Sequence, residues 1–328
     1  MQAQAPRAFI LSPGPHLHVD ESTSAIMWWV NGALAPAALW GVYVFGWNAL
    51  AVIAASIAGA WGAEWLGARM TGRRATLMDG SACCTGLLLA LTLPPRLPAY
   101  EAFLGGVFAI ALGKVIFGGL GFNLFNPALL GRAFLMASFP LAMTSGWATA
   151  RPWFTAPLDA ITSATPLAVV KEYGLAAGLR LITSPVGFYN ALTLGFRPGS
   201  IGEVSVLLLA LGAGVLLARR ILTLTIPLSV FAGVAIATFH TGTVVMHLLS
   251  GGLWIGAFFM ATDYVTSPST PRGQVAFGLL IGLLTGVIRV YGGYPEGICY
   301  AILIANAMAP AFDLWFRPRR VPSAGTPS

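Results

Sequence analysis

The chain has 328 residues, 57% of them hydrophobic and only 9% charged, with a mean hydropathy of +0.78. A water-soluble globular domain carries about a quarter charged residues, so this composition excludes one and calls for lipid as the solvent. The formal charge of +7 does not imply a nucleic-acid partner, because the basic residues form short clusters at helix ends rather than one stripe.

In chain order, residues 1–25 hold acids, histidines and prolines where a signal peptide needs an apolar core, so this segment is expected to be retained and cytoplasmic. Apolar stretches follow at 26–45, 47–67, 79–95, 101–117 and 127–144, each close to the roughly 20 residues that cross a bilayer. The third opens with the polar "DGSACCTG" and ends at Pro94-Pro95, short enough for a re-entrant or broken helix. A loop at 145–201 contains "LAVVKEYGLAAGLRL", whose apolar spacing predicts a short surface helix. Five more stretches lie at 202–219, 220–238, 243–262, 275–291 and 297–315, and a polar, proline-bearing tail at 316–328. The expectation is an all-α polytopic membrane protein of about ten transmembrane helices: a first membrane half at 26–144, an outer loop at 145–201 and a second half at 202–315.

With both ends cytoplasmic, the dense basic clusters fall inside: Arg69, Arg73 and Arg74, then Arg219 and Arg220, then Arg272, then Arg317, Arg319 and Arg320. Five spans on each side of the loop predict two five-helix inverted repeats. The phrases "DGSACCTGLLLAL" and "GSIGEVSVLLLAL" support a repeat, each a polar start running into leucines. The Gly/Pro/Asn-rich segments "GKVIFGGLGFNLFNPALLG" and "DYVTSPSTPRGQVAFG" are expected helix breaks near the inner face, lining a cavity or buried in protein.

Ionisable residues in or near the spans are functional candidates because charge in lipid costs several kcal/mol: Glu64, Asp79, Lys114, Arg132, Glu203, Asp263 and Asp313. Asp79 and Glu203, at matching places of the suspected repeats, are the ion-path candidates, although an acid at a helix start is also a simple cap. Lys114 and Arg132 flank the "FGGLGFN" break, where they could attract a carboxylate, a flavin phosphate or an anionic partner. His240 and His247 share a face if one helix carries both. Cys83, Cys84 and Cys299 fit neither a disulfide framework nor a metal site and read as small buried side chains. From composition alone, "DAITSATPL" at 159–167 is a capping turn into the surface helix.

The phrases "GKVIFGGLGFNLFNPALLGRAFLMASFP", "FFMATDYVTSPSTPRGQ" and "IRVYGGYPEGICYAILIANAMAPAFD", with "GSIGEVS" and the opening "SPGPHLHVDESTSAIMWWV", resemble the D subunit of the Rnf ion-translocating oxidoreductase from about residue 12 to about residue 315. The B subunit of the sodium-pumping NADH:quinone reductase is a close relative, with a longer amino-terminal extension. The resemblance implies an FMN joined through its phosphate to a threonine hydroxyl by a separate flavin transferase on the outer face, in a motif similar to Asp-x-x-Ser/Thr-Gly-Ala-Thr. On this chain the motif falls on Asp159, Thr162, Ser163, Ala164 and the acceptor Thr165, with Ser163 where many members have glycine and Thr162 as the alternative acceptor. It further implies a bacterial inner-membrane subunit, not catalytic alone, assembled with the Rnf A, B, C, E and G subunits. Its flavin would relay electrons between ferredoxin and NAD, coupled to sodium or proton translocation, and a noncovalent riboflavin could accompany it. The rival readings from architecture alone are a passive small-solute channel or transporter, or a scaffold that positions partners.

Overall fold

The computed structural model describes residues 22–72, 77–147, 165–173, 198–293 and 296–317, and among these every regular element is helical. Ser22 accepts the Ala25 N–H at 3.1 Å and starts α1, Thr23–Phe45. Gly46, at φ 72°, turns the chain directly into α2, Trp47–Met70, through a conformation that glycine adopts without strain. The third apolar stretch forms only α3, Ser81–Leu91. At 1.5 Å per residue this is about half the roughly 30 Å of a hydrocarbon core, so the expected short helix is found.

Helix α4, Ala99–Ile110, widens into a π-helical turn, Ala111–Val115. A glycine-rich break follows, with Gly118, Gly119 and Gly121 all at positive φ, before α5, Pro127–Ser138. The expected span 127–144 is interrupted at Phe139, because Pro140 brings no N–H and clashes with the preceding turn; α6, Pro140–Ser145, carries on from there. Of the outer loop, α7, Pro166–Tyr173, is described.

The second half contains α8, Val206–Ala218, and α9, Thr225–Thr238. The expected span 243–262 is also divided. Helix α10, Val244–Leu249, stops at Ser250, Gly251 sits at φ 70°, and α11, Leu253–Ile255, runs into a second π-helical turn, Gly256–Met260. A second break leads to α12, Pro271–Tyr291, started by a Thr270 cap and Pro271, and α13, Ile298–Trp315, is the last helix among the described residues. Helices α1, α2, α12 and α13 are long and apolar enough to cross a membrane; α3, α8 and α9 are shorter apolar helices.

Helix α2 packs along α4 and α4 along α5, and the pattern recurs as α9 along α12 and α12 along α13. In lipid there is no hydrophobic drive between helices, so close backbone approach has to hold such pairs. A Cβ at Gly106 would lie 2.3 Å from the Ser56 carbonyl oxygen, and one at Gly282 would lie 2.2 Å from that of Val230. One core joins both halves: Leu34, Leu89 and Leu129 are buried in the same cluster as Leu209 and Phe277. Leu39, Leu66, Leu211, Leu228 and Ile236 are exposed, an apolar exterior far beyond what a soluble monomer tolerates.

Candidate functional site

Among the described residues, four groups of polar side chains interrupt this apolar body. The first includes Thr165. Its Oγ1 accepts the Ala168 N–H at 3.3 Å and caps α7, as a threonine before a helix-starting proline is built to do. Lys171, on the same helix, donates to the Gly292 carbonyl and ties α7 to the end of α12. Partial burial holds the Lys171 amine below its ordinary pKa. Beneath α7 lies a cavity of about 260 Å³ lined by Leu167, Lys171, Thr243, His247 and Arg289. Arg289 is anchored there by donating to the carbonyls of His247 at 2.5 Å and Ser250 at 3.0 Å. His247 is buried, and no partner among the described residues reaches its Nδ1. Lys171 and Arg289 bring two cationic side chains to this cavity, beside the unengaged His247 nitrogen, a lining that favours an anion.

The second group lies where α2, α3 and α4 meet. Asp79 Oδ1 accepts from the Ser81 N–H at 2.8 Å and from Ser81 Oγ at 2.6 Å, capping α3. Lys114, carried inward by the π-helical turn, donates to Ser81 Oγ at 2.6 Å and to Glu64 Oε1 at 2.7 Å, with both charged side chains 6% exposed. The group borders a cavity of about 110 Å³ that Ser81, Lys114, Asn123, Asn126 and Asp263 share with apolar neighbours.

The third group is the seam between the two breaks. Asn126 Oδ1 caps α5 by accepting from Ala128 and Leu129, while its side-chain amide donates to the Met260 carbonyl at 3.2 Å, at the end of the second π-helical turn. Asn306 reaches both breaks: its Oδ1 accepts the Asn126 N–H at 3.3 Å and its amide donates to the Thr266 carbonyl at 3.0 Å. Asp263 Oδ2 accepts from Asn123 at 3.3 Å and Thr266 at 3.2 Å. Backbone groups released from helices at membrane depth thus find side-chain partners, as lipid requires. Nearer the outer loop, Glu203 accepts from Ser200 Oγ at 2.9 Å, and Arg132 pairs with Glu296 at 2.6 Å.

The family model described as NQR2, RnfD, RnfE matches residues 10–322. The chain belongs to the NQR2, RnfD, RnfE family. It is 45% identical over 318 residues to the D subunit of the proton-translocating ferredoxin:NAD(+) oxidoreductase complex of Clostridium ljungdahlii, covering 94% of this chain and 95% of that one. It is 41% identical over 313 residues to the D subunit of the Na(+)-translocating ferredoxin:NAD(+) oxidoreductase complex of Acetobacterium woodii, covering 94% of each. With the D subunit of the ion-translocating oxidoreductase complex of Halorhodospira halophila it shares 38% identity over 338 residues, again 94% of each.

In this member of the NQR2, RnfD, RnfE family the motif residues Asp159, Thr162, Ser163 and Ala164 lie outside the described residues, and Thr165 alone of the motif is placed. The residue expected to be open to an external enzyme is only 3% exposed, and its hydroxyl is engaged as the α7 cap. Asp79 stands as the α3 cap, whereas Glu203 does not cap α8; Ser205 does, accepting the Leu208 N–H at 3.3 Å. Lys114 and Arg132 do not converge on the glycine break, since each is committed to its own buried carboxylate. His240 and His247 do not share a helix: α9 ends at Thr238, His240 sits in a 3₁₀ turn, and His247 belongs to α10. Among the described residues no group of three or more metal-binding side chains comes together. Sequence reasoning missed Glu296 and Asn306, whose partners lie 164 and 180 residues away, a separation no local pattern encodes. The start of the expected stretch at 127 coincides with that of α5, where Asn126-Pro127 supplies the cap and first residue.

Proposed function

We propose that this chain is the membrane subunit of an Rnf-type ferredoxin:NAD oxidoreductase complex, relaying electrons through an FMN esterified to Thr165 and coupling their passage to sodium or proton translocation. The observation that carries the reading is the match along 94% of the chain to relatives named as the D subunits of such complexes. The reading includes ten spans in two inverted five-helix repeats, and the recurrence of the α2–α4–α5 packing as α9–α12–α13 supports the repeat. The partners would be the A, B, C, E and G subunits and a flavin transferase, in a bacterial inner membrane with both termini cytoplasmic and the 145–201 loop periplasmic.

The residues present fit the group. A phosphoester on Thr165 Oγ1 would stand at the start of α7, where unsatisfied N–H groups and the helix dipole favour negative charge. Lys171, Arg289 and His247, which line the cavity against Leu167 and Val170 of the same helix, would supply further donors to the group. When bound, a flavin supplies a carrier able to join one-electron and two-electron partners, while the protein fixes its position and electrostatics. Thr165 is buried, so its hydroxyl would have to become accessible before a transferase could esterify it. A noncovalent riboflavin belongs to the same proposal; the 110 Å³ cavity beside Asn123 is too small to house one without rearrangement.

The test is ultraviolet fluorescence of the denatured protein band after co-expression with the flavin transferase, alongside Thr165→Ala and Thr162→Ala. The band is expected to fluoresce in the parent and in Thr162→Ala, and to be dark in Thr165→Ala. A dark parent band would remove the covalent-FMN reading and leave a channel or scaffold, whereas a fluorescent Thr165→Ala beside a dark Thr162→Ala would move the ester to Thr162.

A further inference from the structure

Next to the cavity beside α7, with Arg289 common to both, lies a buried ionic cluster in which the flavin reading does not use the two glutamates. Glu203 enters it from the turn before α8. That turn is fixed to the end of α3 by two backbone bonds: Gly202 N–H donates to the Leu91 carbonyl at 2.7 Å and Ile201 N–H to that of Leu93 at 3.1 Å. Glu296 enters from the connection between α12 and α13. The groups facing the pair from the packed elements are Arg132 of α5, Arg289 of α12 and Cys299 of α13. Arg132 holds Glu296 Oε2 at 2.6 Å, with the two side chains 7% and 9% exposed. Glu203 is 6% exposed, and its Oε2 accepts from Ser200 Oγ at 2.9 Å and Ser200 N–H at 3.3 Å.

The remaining Glu296 oxygen, Oε1, is buried and no donor among the described residues reaches it. What does come within hydrogen-bonding reach of the Glu296 carboxyl is the carboxyl of Glu203. Two ionised carboxylates are acceptors only, so this contact cannot form unless one of them carries a hydrogen. A metal cation in its place is disfavoured, since the Arg132 guanidinium already occupies the other Glu296 oxygen and a second guanidinium lies near. We propose that Glu203 and Glu296 hold one proton between them, making the pair a proton-binding site at the seam of the two halves. Burial, with the Glu203 carboxylate beside it, raises the Glu296 carboxyl above its ordinary value against the opposing arginines, which accords with a retained proton. The proton is taken from water and returned to it, with no bond to carbon made or broken. The site stands or falls independently of the flavin.

The experiment is infrared spectroscopy of the purified full-length protein near neutral pH, in potassium and in sodium salt. Glu203→Gln and Glu296→Gln are measured beside it, because an amide N–H₂ replaces the shared donor and keeps the packing. The parent is expected to show one protonated-carboxyl stretch that shifts in heavy water and on labelling glutamate carboxyls with carbon-13. The band should be lost in either variant and unchanged when sodium replaces potassium. Absence of a carbon-13-sensitive band in the parent overturns the proposal without recourse to a variant. Survival of the band in either folded variant overturns it by assigning the proton elsewhere. Loss of the band in sodium would show a cation between the oxygens instead.

Discussion

A charged side chain buried in this apolar body is stable only while its partner stays. Lys114 and Glu64 meet at 2.7 Å, both 6% exposed, with Ser81 Oγ as the lysine's second acceptor. Removing one member leaves the other uncompensated, which costs about 3–5 kcal/mol, whereas removing both costs far less. Lys114→Met is therefore expected to unfold much earlier than the parent in a thermal scan of the purified protein, and Glu64→Gln/Lys114→Met to recover most of the loss. Equal melting of the single variant and the parent would mean the pair contributes no net stability. Glu296 behaves differently with pH. Its folded-state pKa is raised above the ordinary 4.5, so the folded protein holds this proton more tightly than the unfolded chain does. The stabilisation it brings is complete below 4.5 and declines as pH climbs through the raised value. Denaturation midpoints measured across mildly acidic to neutral pH should fall in the parent with a steeper slope than in Glu296→Gln; parallel slopes would contradict the shift. At this scale the sequence disclosed which residue types were out of place in lipid, and Glu64, Asp79, Lys114, Arg132 and Glu203 all proved to be in hydrogen-bonded groups. It did not disclose who pairs with whom, because Lys114 finds Glu64 across 50 positions and Arg132 finds Glu296 across 164.

Between single residues and the whole bundle stand the broken helices. A break in lipid survives only if its freed carbonyls and N–H groups are satisfied, and Asn126 serves three of them at once: two as the α5 cap and a third at the Met260 carbonyl. Asn126→Ala removes the cap and orphans a buried carbonyl, a loss of about 1–3 kcal/mol per unsatisfied group. Asn126→Asp keeps the cap but buries a charge and turns an acceptor toward the Met260 carbonyl. Both variants are therefore expected to melt below the parent; an alanine variant as stable as the parent would show that the cap and the Met260 bond contribute nothing. The helix positions themselves were legible from apolar length: α1, α2, α12 and α13 begin or end within a few residues of the stretches at 26–45, 47–67, 275–291 and 297–315. The π-helical turns at Ala111–Val115 and Gly256–Met260 were not, since a single inserted residue per turn leaves hydropathy unchanged. Nor was the interruption at Ser250–Gly252, which reads as ordinary small residues within an apolar run.

Across the molecule, the polar groups of an otherwise apolar body include the cavity beside α7, the Glu203–Glu296 cluster, and the Asp79, Lys114 and Asp263 groups around the breaks. Charge is retained in such surroundings at a cost of several kcal/mol, and a structural requirement for caps does not explain a buried acid that caps no helix. Glu203 is such an acid: Ser205 starts α8, so the Glu203 carboxylate has no part in that cap and faces Arg132's partner instead. Asp79, by contrast, is occupied as the α3 cap, and an asparagine there accepts the same two bonds from Ser81. This difference sharpens the expectation for ion movement. In proteoliposomes carrying the assembled complex, Glu203→Gln is expected to depress ion uptake strongly, at an expression level and melting temperature close to the parent's. Asp79→Asn would depress uptake only if its charge, and not its cap, is what transport requires. Arg319→Ala, in the polar tail outside the described residues, serves as the indifferent control. Equal uptake by Glu203→Gln and Arg319→Ala would take the buried acid out of the ion path. Uptake lost in Asp79→Asn but kept in Glu203→Gln would move the path to the side of α3 and Lys114.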